Sequence, residues 1–140
     1  MIFEYTVDTD FDAIECFAQQ FDIPLQANEY AIPETLGNGF GRKYVIEDGV
    51  FATVQKFNLK QELILKRTGS HKDFDTLAFR FYAYANSENI YLSNVQLMTQ
   101  DIDNVDTIPP DTTAYYVVLT VGRSKLAGML DLPQCKGWSS

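Results

Sequence analysis

Two periodicities divide the chain. Between Asp10 and Phe21 the apolar positions Phe11, Ile14, Phe17 and Phe21 recur at helical spacing. Asp10 is placed to cap that helix, and Glu15 falls in an early turn, where an acid suits the positive helix end. Pro24 forbids smooth continuation, so one helix is predicted over about 10–21. An aromatic stripe of this kind usually faces a core, which makes the helix a packing element.

From Gly37 onward the period changes to two. Asp48-Gly49, between RKYVIE and VFATVQKF, is a two-residue hairpin signal. Pairing outward from a type I′ turn sets Ile46 opposite Phe51 and Tyr44 opposite Thr53. The other face pairs Val45 with Ala52 and Lys43 with Val54. Both faces are then partly apolar, as expected where one lines an interior and the other meets a helix or a partner. Further strands are predicted at Gln61–Arg67, with basic residues at its end, and at Thr76–Tyr84. In the latter, Leu77, Phe79, Phe81 and Ala83 face one way and Ala78, Arg80, Tyr82 and Tyr84 the other. The turn cluster NSEN returns the chain as an antiparallel strand over Ile90–Met98. TQDIDNVDTIPPD reads as an acidic link whose double proline stops pairing. Thr113–Val121 is the last strand. Ser124 is placed to cap a short helix over about 124–130 that carries Leu126, Met129 and Leu130. The fold class is therefore mainly β, an antiparallel barrel or sandwich over about 39–122 with a helix at each end, in a single domain over 1–140.

Charge and composition narrow the function. Eleven basic residues against 19 acidic ones give a net charge of −8. Phosphate neutralisation by Lys and Arg supplies most nucleic-acid affinity, so this segment by itself is expected not to bind DNA. No apolar run approaches the roughly 18 residues of a membrane-spanning helix. The acidic start MIFEYTVDTDFDAIE lacks the basic, then apolar order of a secretory signal, and a cytoplasmic location is expected. Cys16 and Cys135 lie near opposite ends of the chain, which suggests two free thiols rather than a disulfide framework.

Candidate chemistry is sparse. The glycines of LGNGFG, Gly37, Gly39 and Gly41, are followed by a hairpin rather than the helix a phosphate-binding loop needs. His71, in the polar turn RTGSHKDFD, is the chain's one histidine. A His-based metal centre or a nucleophile with a histidine base would have to rest on it alone, and neither a metal nor another cofactor is expected. Asp101, Asp103 and Asp106 could supply paired carboxylates, but within one link they read as a solvated charge run. Binding is the better-supported chemistry. Phe57, Phe79, Phe81, Tyr82, Tyr84 and Tyr91 could line a cavity, although alternating aromatics also make ordinary sheet core. Arg80 interrupts an aromatic-rich strand. It could hold an anion through parallel hydrogen bonds, or pair with a neighbouring carboxylate on the surface.

A helix, then IPETLGNGFGRKYVIEDGVFATVQKFNL, then a Phe-rich strand resembles the N-terminal domain of AraC-type bacterial transcription regulators, in particular the subgroup that includes siderophore-responsive activators. The features that carry the likeness are Gly37 and Gly39 before a strand, the Asp48-Gly49 turn, and the apolar strand Val50 to Phe57. LAFRFYAYA resembles the family's following core strand, and IPPDTTAYYVVLTVGRSKLAGML its last strand and the start of its connecting helix. The match runs over about Ile32 to Leu130. The resemblance implies a cupin-like barrel that senses a small-molecule effector and pairs with a second copy. A separate helix-turn-helix domain, absent from these 140 residues, would read the promoter. For pairing, the flanking helices are the candidate surfaces, the closing one around Leu126, Met129 and Leu130 more than the first, which is expected to pack on its own barrel. Two other readings remain open: a free-standing cupin-like small-molecule binder, and an enzyme built on carboxylates.

Overall fold

The computed structural model describes residues 1–7, 11–70, 76–87, 89–99 and 101–122, together with Lys125, Ala127 and Gly128, and for Tyr91 only the backbone. Its strands are β1 (Ile2–Thr6), β2 (Leu25–Gln26), β3 (Glu29–Ala31), β4 (Gly37–Glu47), β5 (Val50–Leu59), β6 (Leu63–Thr68), β7 (Thr76–Ala85), β8 (Ile90–Met98), β9 (Asn104–Ile108) and β10 (Thr113–Gly122), with α1 (Ala13–Gln20) between β1 and β2. Seven strands form one sheet in the order β2-β3-β4-β5-β10-β7-β8, and β1-β6-β9 form a second. The mainly β expectation holds, and the arrangement is sandwich-like. The two sheets do not close on each other as a barrel. Nor is every pairing antiparallel, since β1 runs parallel to β6, with Phe3 opposite Leu65 and Tyr5 opposite Arg67.

The predicted helix begins later than expected. Asp12, not Asp10, is its N-cap: one carboxylate oxygen accepts from the backbone N–H groups of Ile14 at 3.0 Å and Glu15 at 3.1 Å. Asp10 lies outside the described residues. Ile14, Phe17 and Ala18 are fully buried. Phe17 meets Phe3, Tyr30 and Phe57, with ring centroids at 5.1, 5.2 and 5.8 Å. One helix face thus closes one end of the sandwich and joins its two sheets, the packing role its aromatic stripe implied. Of the predicted closing helix, Lys125, Ala127 and Gly128 are helical; the remaining positions of 124–130 lie outside the described residues.

The long hairpin carries an irregularity with consequences for the interior. Glu47 pairs with Val50 around the Asp48-Gly49 turn, as the turn dictates. Beyond it, though, Val45 pairs with Phe51, Tyr44 with Ala52 and Lys43 with Thr53. Ile46 is the extra residue of a bulge, so the sequence-based register is off by one from there onward. A shift of one residue exchanges the two faces of a strand. Lys43 consequently shares a face with Thr53, turned inward, instead of pairing with Val54. The turn is not type I′ either: Gly49 has φ +78, whereas Asp48 is not among the residues with positive φ. Replacing Gly49 with valine should still cost about 1 kcal/mol or more, because a β-branched residue resists that conformation. Chemical denaturation reads the loss directly.

A second glycine is constrained by contact rather than by its dihedrals. Gly41 pairs with Tyr30 across β3 and β4, and a Cβ there would lie 2.3 Å from the tyrosine ring. The Tyr30 ring is fully buried, and its hydroxyl accepts a hydrogen bond from Gln55 at 2.7 Å. Gly41→Ala is expected to destabilise by about 1–3 kcal/mol through overpacking. A variant as stable as the parent in a thermal melt would show that the ring has room to move.

Candidate functional site

The inner faces of the sheets alternate with their outer faces, and this decides where each candidate residue goes. On β7 and β10 the inward set is Ala78, Arg80, Tyr82 and Tyr84 against Ala114, Tyr116, Val118 and Thr120. The small sheet turns Phe3, Tyr5, Leu65 and Arg67 toward them. Between the sheets, capped by the start of α1, lies a cavity of about 530 Å³ whose walls include all four of these and Phe17, Lys43, Phe57, Arg80, Met98 and Tyr116. That volume is in the usual range for small-molecule sites.

Of the seven residues singled out from the sequence, Phe57 and Arg80 line this cavity. Tyr82 and Tyr84 share the inward face but belong to the core beside it. Tyr84 and Tyr116 join hydroxyls at 2.6 Å. Phe79 and Phe81 lie on the opposite face of β7, where Phe81 is 44% exposed beside Val95 and Val117. The side chain of Tyr91 lies outside the described residues, as does His71.

Arg80 pairs with a carboxylate, but in the interior rather than on the surface. It is 5% exposed. Its guanidinium makes a short hydrogen bond and ion pair to Asp106 of the small sheet. Asp106 in turn accepts from the Asn104 side-chain amide at 2.9 Å. The guanidinium also lies over the rings of Tyr82 and Tyr116, at 4.9 and 5.0 Å from their centroids. Burial disfavours its charge, yet the hydrogen bond and charge of Asp106, with smaller contributions from Tyr116 and Tyr5, outweigh that and raise its pKa. Asp106 is therefore not a member of a solvated charge run: its strand, β9, is half of an intersheet clamp. Asp103 is also structural, accepting from the Gly69 backbone N–H at 2.7 Å.

Arg67 is the residue that the strand reading passed over. It sits on β6 in line with Leu63 and Leu65, so its inward direction was legible in that alternation. It is 8% exposed and reaches across to the large sheet. One terminal nitrogen donates to the Met98 sulfur at 3.2 Å, the other to the Thr99 carbonyl at 3.0 Å. Neither acceptor carries charge, and among the described residues no carboxylate lies within ion-pair distance of it. Burial, joined by repulsion from Arg80, pulls its pKa down, with partial opposition from Tyr5 and Asp101. A guanidinium starts so high that it stays protonated at neutral pH all the same. The Nε atoms of both Arg67 and Arg80 are buried, without a hydrogen-bond partner among the described residues.

At the mouth, Lys43 bridges the sheet and the helix start. Its ammonium is 3.2 Å from the second Asp12 oxygen and 4.7 Å from the centroid of Phe51. Asp12 therefore caps α1 with one oxygen and holds the cavity rim with the other. Asp12→Ala should cost about 1 kcal/mol for the lost cap alone. Asp12→Asn should retain most of that stability and lose only the Lys43 pair, and equal losses for the two variants in urea titrations would contradict this division.

No family model matches the chain, and no curated protein does. Among solved structures, partial likenesses are found to a family 44 endoglucanase from Clostridium thermocellum (14% identity, TM-score 0.35) and a family 44 xyloglucanase from Paenibacillus polymyxa (22%, 0.33). A third is to a family 30 endoxylanase from Clostridium papyrosolvens (9%, 0.30). They cover 61%, 59% and 68% of this chain but only 17%, 16% and 21% of those enzymes. TM-scores this low lend nothing to the reading of the cavity.

Proposed function

We propose that this domain is a small-molecule receptor whose ligand occupies the cavity between the sheets, and that it acts as the cupin-like sensing half of an AraC-type regulator. The observation that carries the receptor reading is the cavity itself: about 530 Å³, with aromatic walls and the two largely buried arginines Arg67 and Arg80 among its lining. Pockets that are mostly apolar with a few convergent polar groups are where small ligands bind. Catalysis is less well served. Tyr5 and Tyr116, which face the cavity, have their pKa values raised, in each case chiefly by burial, and a group held far above neutral pH is a poor proton acceptor. The regulatory half of the proposal rests on the sequence resemblance.

Thermal melts against a metabolite library test the receptor reading, with Ala78→Trp, a change on the cavity wall, as the filled control. At least one compound should stabilise the parent and not the filled variant. If every compound that stabilises one stabilises the other equally, the cavity is not the site. For the regulatory half, the reading frame is expected to continue past Ser140 into a basic, helix-rich segment; a frame that stops there would favour the free-standing binder instead. Pairing belongs to the same proposal. Light scattering should show a mass that doubles with concentration, and a strict monomer throughout would remove the dimer from it.

A further inference from the structure

We infer that the ligand of this cavity is an organic monoanion, a carboxylate with an apolar body, whose acid group is held by Arg67 with Arg80 beside it. The inference rests on the receptor reading above and adds the chemistry of what is bound.

Charge is the first reason. Arg67 and Arg80 place two guanidinium charges on the wall of one cavity, and Asp106 answers one of them. Lys43 is already matched by Asp12, and Glu15, the other acid on the cavity wall, is exposed to solvent at the mouth. Among the described residues Arg67 is thus the guanidinium without an ion-pair partner, and Asp101 acts on its charge without reaching ion-pair distance. A buried charge without a counter-charge is costly to the fold, so a site that keeps one is arranged for an anion that arrives later. One excess charge is balanced by a monoanion, whereas the two charges of a phosphate monoester would overshoot it.

Donor geometry is the second reason. Arg67 commits one hydrogen of each terminal nitrogen, to a thioether and to a backbone carbonyl, which leaves the second hydrogen of each for an anion. Arg80 is fixed by Asp106 and by the Tyr82 and Tyr116 rings, so its charge stands on the cavity wall without losing side-chain freedom on binding. The apolar body follows from the opposite wall, where Phe3, Phe17 and Phe57 line the same cavity. A small inorganic anion would leave that surface uncovered.

Calorimetric titration of the full chain with 2-naphthoate, 2-naphthamide and 2-naphthyl phosphate separates these contributions, since the three share one apolar body. Naphthoate should bind the parent about tenfold to hundredfold more tightly than the neutral amide, the scale of charge-assisted hydrogen bonds. It should also bind more tightly than the phosphate. In Arg67→Met the preference for the acid should vanish while the amide binds as before. The same variant without ligand should melt higher than the parent, because it removes an uncompensated charge; that measurement does not depend on the choice of probe. Equal affinity for acid and amide, an unchanged preference in Arg67→Met, or a lower melting point for the free variant would overturn the inference and leave the receptor reading in place. Tighter binding of the phosphate would overturn the monoanion assignment. Failure of all three to bind, where a library compound stabilises the parent and not Ala78→Trp, would overturn the inference alone.

Discussion

Asp106→Ala should be the most damaging single substitution in the interior, costing about 3 kcal/mol or more. Among the described residues the carboxylate is the one charged partner of Arg80, and removing it strands a guanidinium that is 5% exposed. Breaking a buried pair on one side costs about 3–5 kcal/mol, and the lower end applies because Asp106 retains some solvent contact. The double variant Arg80→Leu with Asp106→Leu should recover most of the loss, since it removes both charges and both desolvation costs. Urea titrations of the two single variants and the double would measure the coupling. Simple addition of the single losses would show that the pair contributes little, and that Arg80 is satisfied by the Tyr82 and Tyr116 rings alone.

The clamp also marks where the sequence was readable and where it was not. The long strands β5, β7, β8 and β10 announce themselves by alternation and by turn clusters, and their bounds fall within a residue or two of those expected. β1 and β9 carry weaker signals. IFEYT alternates, but its partner β6 lies some sixty positions away and runs parallel, so no hairpin turn points to it. NVDTI contains an acid on its inward face, and an inward acid looks like solvated link until Arg80 is placed opposite. The small sheet was missed for these two reasons, and with it the burial of Arg67, which had looked like one of two basic residues at a strand end. Arg80 could be singled out because its strand is otherwise apolar. Lys43 could not be placed, because the bulge at Ile46 moves it from one face to the other, and nothing in RKYVIEDG distinguishes a bulged hairpin from a regular one.

Raising the pH should produce a second large effect, unfolding that sets in above pH 10. Tyr5, Tyr30, Tyr84 and Tyr116 all have their pKa values raised, in each case chiefly by burial; for Tyr116 the charge and hydrogen bond of Tyr84 add to it. In the unfolded chain these phenols release their protons near the ordinary value of 10.0, whereas in the fold they hold them. Above pH 10 the unfolded state thus binds fewer protons than the native one, and stability must fall as pH rises. Each retained proton contributes about 1.4 kcal/mol per pH unit, so four give at most about 5.6 kcal/mol per unit. A domain with the usual stability of about 5–15 kcal/mol would then unfold within about one to three units. Absorbance at 295 nm should show the exposed tyrosines ionising gradually around pH 10 and the buried ones only in a later, abrupt step that coincides with loss of the circular-dichroism signal. Added salt screens the general repulsion of a chain with a net charge of −8 but leaves the buried phenols where they are, so the abrupt step should persist at high ionic strength. One smooth titration of all eight tyrosines near pH 10, with secondary structure intact, would mean that water reaches the Tyr84–Tyr116 pair and that the interior is not closed around Arg80.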